Sequence, residues 1–333
     1  MTTSTINSIY SKGRGQRLRL RTKVAWRRFK NDWQVFSQNR LAVLGLGLIL
    51  LFGIMAIIHP LLMATVWGKQ TYDPITGYDF EIMIHPSPPS WIPRPDDPMY
   101  AFSFRHILGT DGLGHDVLSM LLAATTPAFT VGIAAALTTA AIGLLIGVVS
   151  AYYGGIVDTL LMHVADAFLL LPAPLFMVIA GMRFDDLGPA SLGLIYGLIA
   201  GTGGAAIVMR SHALSIVARP FIEAARTAGG NGRHIIAVHI LPHVLPLATL
   251  YMMLAVTGAI VADAFIAFFG FSRNYMSWGT IVYSSFVYSA ALGTGTEWHV
   301  LIPPCMALSL FAAAFYLVSR GLHQVADPRL RER

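Results

Sequence analysis

Two acids, Asp166 and Asp263, sit inside long apolar stretches of this chain. Carrying a carboxylate into hydrocarbon costs about 2.5 to 3.5 kcal/mol on insertion scales, so such a residue either exchanges a proton in a transport cycle or hydrogen-bonds inward between helices. Asp263 lies four or more turns into its stretch, near the end where water reaches, which favours the hydrogen-bonding role. A second cluster is Leu108-Gly-Thr-Asp-Gly-Leu-Gly-His-Asp-Val117, in which Asp111, His115 and Asp116 have the side chains of metal ligands. Their spacing matches no standard site, and Asp between Thr and Gly is ordinary turn and helix-start chemistry, so capping is expected instead.

A third segment is built for docking rather than catalysis. Pro220 suits the first turn of a helix, Glu223 sits where the macrodipole favours an acid, and Ala224 and Ala225 keep helix propensity high. Gly229-Gly-Asn-Gly232 then stops the helix, with Gly229 expected in the left-handed conformation, and Arg233 to Leu241 reads as a second short helix ended by Pro242. Phe221, Ile222 and Ala225 are expected on an exposed face, as anchors for the groove of another protein. A DNA-reading helix-turn-helix has the same outline, but both ends here run directly into apolar stretches, so no nucleic acid is expected.

No Ser-His-Asp, Cys-His or paired-carboxylate constellation stands out. No Gly-x-x-x-x-Gly-Lys-Ser/Thr occurs, and Gly201-Thr-Gly-Gly204 lies in an apolar stretch without lysine. The chain is therefore expected to be no enzyme and to bind no cofactor or metal.

The elements that carry these residues follow from composition. Of 333 residues only 12% are charged, against about 25% in soluble chains, while 55% are hydrophobic and the mean hydropathy is +0.61. The polar residues cannot cover a soluble globule of this size, so lipid must solvate part of the chain. A single cysteine, Cys305, excludes a disulfide scaffold. Six stretches approach or exceed the roughly 20 residues needed to span hydrocarbon: Leu41 to Met63, Ala128 to Ser150, Leu160 to Met182 with Pro172 and Pro174 inside it, Ala190 to Met209, Val244 to Phe271 and Val300 to Ser319. They are too long and too continuously apolar for barrel strands, so the fold class is all-α, a polytopic membrane protein with six transmembrane helices. Gly193, Gly197 and Gly201, four apart, form a stripe where another helix can approach. The expected organisation is a basic segment over 1–40, a first transmembrane helix over 41–63, an external loop over 64–127, a five-helix core over 128–320 with a loop at 210–243, and a tail over 321–333.

Eighteen of the 23 lysines and arginines fall before the first span, between spans four and five, or after the sixth. The positive-inside rule puts those segments and both termini in the cytoplasm, with contact to anionic membrane lipid. The opposite side collects acids, including Asp73, Asp79, Asp96, Asp97, Asp111 and Asp116. There the stretch from His85 to Pro95 reads as a stiff polyproline spacer. Ser272 to His299, rich in Tyr and Trp, reads as a half-inserted interfacial helix or, more sharply, as a surface for an external partner.

Glu223-Ala224-Ala225, then Gly229, then His239-Ile240-Leu241-Pro242, resembles the EAA motif of ABC-importer permeases. The likeness is greatest to the DppC/OppC-type subunits of dipeptide and oligopeptide importers. Asn39-Arg-Leu-Ala42, Leu108 to Val117, Ala151-Tyr-Tyr-Gly-Gly155, Ser277-Trp-Gly279 and Asp327-Pro-Arg-Leu330 carry the resemblance along nearly the whole chain. It departs from the pattern at His239, His115, His243 and Asn231-Gly232. The resemblance implies the type I importer (MetI-like) architecture in the inner membrane of a prokaryote. It implies a second permease subunit, two ATP-binding subunits that use ATP and Mg, and an extracytoplasmic binding protein that delivers peptide cargo. Glu223, Ala224, Ala225, Arg226, Gly229, Leu241 and Pro242 would then couple to the ATPase, and Asp111, Asp116 and Trp278 would lie on the binding-protein or gate side. Nickel complexes or another small solute are alternative cargoes within the same architecture. An ion-coupled secondary transporter is the alternative of a different class.

Overall fold

The computed structural model describes residues 26, 30, 33–80, 82, 85–92, 102–184, 187–271, 275–292 and 297–326. The basic residues Lys12 to Lys23, Arg27 and Arg28, together with Glu81, Arg94, Asp96, Asp97, Asp185, Asp186, Arg273 and Asp327 to Arg333, lie outside the described residues.

Helix α1 (Arg40–Thr65) begins where the Asn39 side-chain oxygen accepts hydrogen bonds from the amides of Leu41 and Ala42, at 3.0 and 3.2 Å. Such caps satisfy donors that the first turn leaves without partners. The second span starts ahead of its expected bound. Asp116 caps a short helix, α2 (Val117–Ala123), which continues almost without a break into α3 (Thr125–Tyr153). Gly154 and Gly155, both at positive φ, turn the chain into α4 (Gly155–Leu170).

The third stretch is not one helix. It breaks at Leu171, and α5 (Ala173–Arg183) leaves at 80° to α4. The cause is local: a residue preceding proline is pushed into extended conformation, and Leu171 takes φ −76°, ψ 120° before Pro172. Among the described residues five unbroken stretches are long and apolar enough to cross a membrane, and the bent pair makes the sixth if it counts as one crossing.

The fourth span comprises α6 (Pro189–Ala200), a widened turn at Gly201–Ala205 and α7 (Ala206–Val217). Its glycine stripe lies on α3. A β-carbon on Gly197 would fall 2.6 Å from the Thr138 β-carbon and 2.7 Å from the Ala135 carbonyl oxygen, so only glycine permits this approach. Gly201-Thr-Gly-Gly204 is the widened turn itself, where Gly203 leaves helical geometry and passes close to Leu169.

Next come α8 (Pro220–Thr227) and α9 (Gly232–Ile235). A widened turn at Ile236–Ile240 then leads into α10 (Leu241–Phe268). The expected stop at Pro242 does not occur. Proline removes one N–H and its ring crowds the carbonyl four residues back, but the widened turn relieves both, and the helix runs on into the fifth span. The loop between spans five and six contains α11 (Trp278–Leu292), and α12 (Trp298–Ala326) is the last span. The core is an aromatic cluster where Phe52, Trp278 and Phe315 surround Phe311, with ring centres 5.0 to 5.3 Å from it. No strand forms among the described residues, only an isolated bridge between Thr110 and Asp116.

Candidate functional site

Arg219 is extended and Pro220 opens α8, with Glu223 in the first turn, where the macrodipole favours an acid. The helix ends on three returning amides. Those of Ala228, Gly229 and Gly230 reach the carbonyls of Ala224, Arg226 and Ala225 at 3.0 Å. Gly229 has φ 79°, the left-handed value expected, and a β-carbon there would meet nothing within 4 Å, so backbone strain alone calls for glycine.

One anchor is reassigned. Ile222, expected on the exposed face, is fully buried beside Ile235, Ile240, Ile216 and Met209. An eight-residue helix cannot hold itself upright, and burying Ile222 fixes it to the bundle. Phe221 remains partly exposed and stacks on His243 at 5.9 Å. Arg226 lays its guanidinium over the Tyr152 ring at 4.7 Å, tying the segment to the end of α3. Glu223, Ala224 and Arg226 face outward, while Leu241 and Pro242 begin α10 behind them.

The opposite end of the bundle carries a charge cluster that sequence reasoning half missed. Asp116 accepts from the Ser119 amide at 2.7 Å with one oxygen and from His106 Nδ1 at 2.8 Å with the other. His106 Nε2 donates to Asp79 at 2.9 Å, and Arg105 Nε donates to the same oxygen at 3.1 Å. Both imidazole nitrogens face carboxyl groups, an arrangement that favours the imidazolium. Burial works against that charge, but the bonds to Asp116 and Asp79 outweigh it and raise the His106 pKa above its ordinary value. Asp111 closes its own turn, accepting from the amides of Leu113 and His115 and from His115 Nδ1 at 3.0 Å. Both acids thus serve as the turn and cap expected of them.

Asp263 is 5% exposed and accepts a hydrogen bond from the Tyr275 hydroxyl. A cavity of about 440 Å³ beside this pair is lined by Asp111, His115, Tyr275, Tyr283 and Tyr288. Trp278 is buried, its indole N–H donating to the Leu121 carbonyl at 3.1 Å. Asp166 is exposed on α4, whose only buried residue is Ala165. A pairing not anticipated joins Arg210, counted above as a loop cation, to Asp158 in the first turn of α4, and the Ser150 hydroxyl also donates to that carboxylate. No spacing announces it, since 52 residues separate the partners.

The family described as binding-protein-dependent transport system inner membrane component matches residues 143–332, and the N-terminal TM domain of oligopeptide transport permease C matches residues 21–80. A putative peptide transport system permease protein of Brucella suis is 32% identical over 229 residues, 68% of this chain and 74% of the relative. The dipeptide transport system permease protein DppC of Bacillus subtilis is 29% identical over 314 residues, 93% of this chain and 86% of the relative. The oligopeptide transport system permease protein OppC of Mycobacterium bovis is 29% identical over 300 residues, 89% and 93% of the two chains.

Proposed function

Since the chain belongs to the binding-protein-dependent transport inner membrane components, among the DppC/OppC-type permeases, we propose that it forms, with a second permease subunit, the path by which an ATP-driven importer moves dipeptides or oligopeptides across the inner membrane. Two separate ATP-binding subunits hydrolyse ATP with Mg, and an extracytoplasmic binding protein delivers the peptide. Coupling runs through residues 220–242, within the loop at 210–243.

The observation that carries this reading is the construction of α8. Ile222 and Arg226 fix the helix to the ends of α3 and α7, while Phe221, Glu223 and Ala224 are left outward at its surface. A rigid, short helix held this way passes a push to the spans instead of absorbing it. The basic residues around it support, through the positive-inside rule, a cytoplasmic location for this end and for both termini. The acidic segment between α1 and α2, with Asp111 and Asp116, then faces the binding protein.

Reconstitution tests the assignment. The full chain, its second permease and the ATP-binding subunits are placed in vesicles, and the binding protein is added outside. Labelled dipeptide and tetrapeptide should accumulate with ATP inside and should continue to do so with a protonophore present. Accumulation driven by a proton gradient without ATP would overturn the reading in favour of an ion-coupled carrier. Transport of nickel complexes but no peptide would keep the architecture and replace the cargo.

A further inference from the structure

Asn39-Arg-Leu-Ala42 is used neither by the coupling helix nor by the outer cluster, and its surroundings have the makings of a binding site. A cavity of about 470 Å³ opens between the start of α1 and the end of α12, lined by Val35, Gln38, Asn39, Arg40, Arg320 and Gln324. The helix ends around it are held in place. Asn39 caps α1 with its oxygen and donates its amide N–H to Gln324 at 3.0 Å, while Gly321 and Gly45 let α1 and α12 approach closely. Among the described residues neither the Arg40 nor the Arg320 guanidinium forms a salt bridge or hydrogen bond. Two cations thus line one space in which no described carboxylate pairs with either.

The geometry points to a site for the phosphate of an anionic membrane lipid. A guanidinium fork matches phosphate oxygens two at a time. The depth is right for a headgroup, because α1 becomes continuously apolar directly after Arg40 and the exposed Trp33 stands about two turns outside the span, toward the interface where indoles settle. Leu41, Leu44 and Leu51 are exposed below the cavity and offer acyl chains an apolar wall. An acidic protein segment would use the two arginines but not this wall. The site depends only on the membrane placement of α1 and α12, so it stands or falls separately from the cargo.

The test is native mass spectrometry of the full chain in detergent, titrated with phosphatidylglycerol, phosphatidylcholine or inorganic phosphate. One phosphatidylglycerol should be retained per chain, in preference to phosphatidylcholine. The pair R40Q/R320Q should weaken retention roughly tenfold or more, as expected for two cations near a headgroup. R40K/R320K, which keeps the charges but loses the forks, should retain only part of it, and R233Q, on the coupling segment, should leave it unchanged. Equal thermal midpoints of these chains in phosphatidylcholine nanodiscs would exclude misfolding as the cause. Undiminished retention by R40Q/R320Q would overturn the site. Competition by millimolar inorganic phosphate as strong as by lipid would overturn the lipid as its occupant, and retention lost only on adding the ATP-binding subunits would assign the arginines to a protein contact.

Discussion

Arg210 grips Asp158 with both ends of its fork, Nε to one carboxylate oxygen and Nη2 to the other, each at 2.5 Å. The pair joins α7 to the first turn of α4, and Ser150 ties the same carboxylate to α3. Three helices therefore meet on one anion at the end of the bundle from which α8 emerges. Asp158→Asn or Arg210→Gln should cost roughly 1 to 3 kcal/mol, because a charge-assisted bidentate bond is lost and its partner is left incompletely solvated. Thermal unfolding of the full chain in nanodiscs measures this. Each single substitution should destabilise more than the double D158N/R210Q does beyond either one, and strict additivity would show that the pair contributes nothing.

Gly229 should be irreplaceable for coupling but not for insertion. With open space around its missing β-carbon, Gly229→Val costs only the strain of a left-handed valine, about 1 to 3 kcal/mol, and tilts α8. Glu223→Lys adds a reversed charge in the first turn, worth about 0.3 to 1 kcal/mol before any partner is involved. Both variants should reach the membrane in normal amount and lose ATP turnover stimulated by the binding protein. Normal stimulated turnover in both would remove α8 from the coupling path.

The charge cluster around His106 should weaken at alkaline pH. His106 has its pKa raised in the folded chain, so the stability it contributes is fully present below the unfolded value of about 6.5 and is lost as pH rises through the higher folded value. Unfolding midpoints recorded from pH 6 upward should fall on the alkaline side in the wild-type chain. His106→Gln should have a lower midpoint at pH 6 and a shallower fall. Parallel pH profiles would mean that the imidazolium between Asp79 and Asp116 does not form.

Asp263 should be replaceable. Its partner is Tyr275, and hydrogen bonds between membrane helices average about 0.6 kcal/mol. Asp263→Asn and Tyr275→Phe should each keep part of the ATP-dependent uptake, which should be insensitive to a protonophore. Complete loss in Asp263→Asn, with the complex intact and ATP still hydrolysed, would assign the carboxyl an obligatory role.

Gly197 should tolerate no larger residue. Gly197→Val forces α6 away from α3 against Thr138 and Ala135, an overpacking cost of about 1 to 3 kcal/mol or more. Gly53→Ala on α1, with nothing within 4 Å of its position, is the control and should leave the unfolding midpoint unchanged.

What the sequence determined by itself is whatever is encoded within a turn or two of chain. Hydropathy located five spans and the stretch that bends at Leu171, the glycine repeat marked the face of α6 that meets α3, and Pro220, Glu223 and Gly229 delimited α8. Turn and cap chemistry around Asp111 and Asp116 was legible for the same reason, although the helix-start signal read at Asp111 belongs to Asp116, whose donor is the amide three residues on. Tertiary structure decided what depends on residues far apart. Asp158 met Arg210, and His106 met Asp79 and Asp116, only after helices and loops had packed. Ile222 looked like an exposed anchor because an amphipathic helix does not state which of its apolar residues the bundle will cover. Pro242 looked like a stop because proline ends a regular helix, yet a widened turn upstream lets the helix continue. Local rules fix conformation over a few residues, whereas burial and ion pairing are properties of a surface that exists only when the helices are assembled.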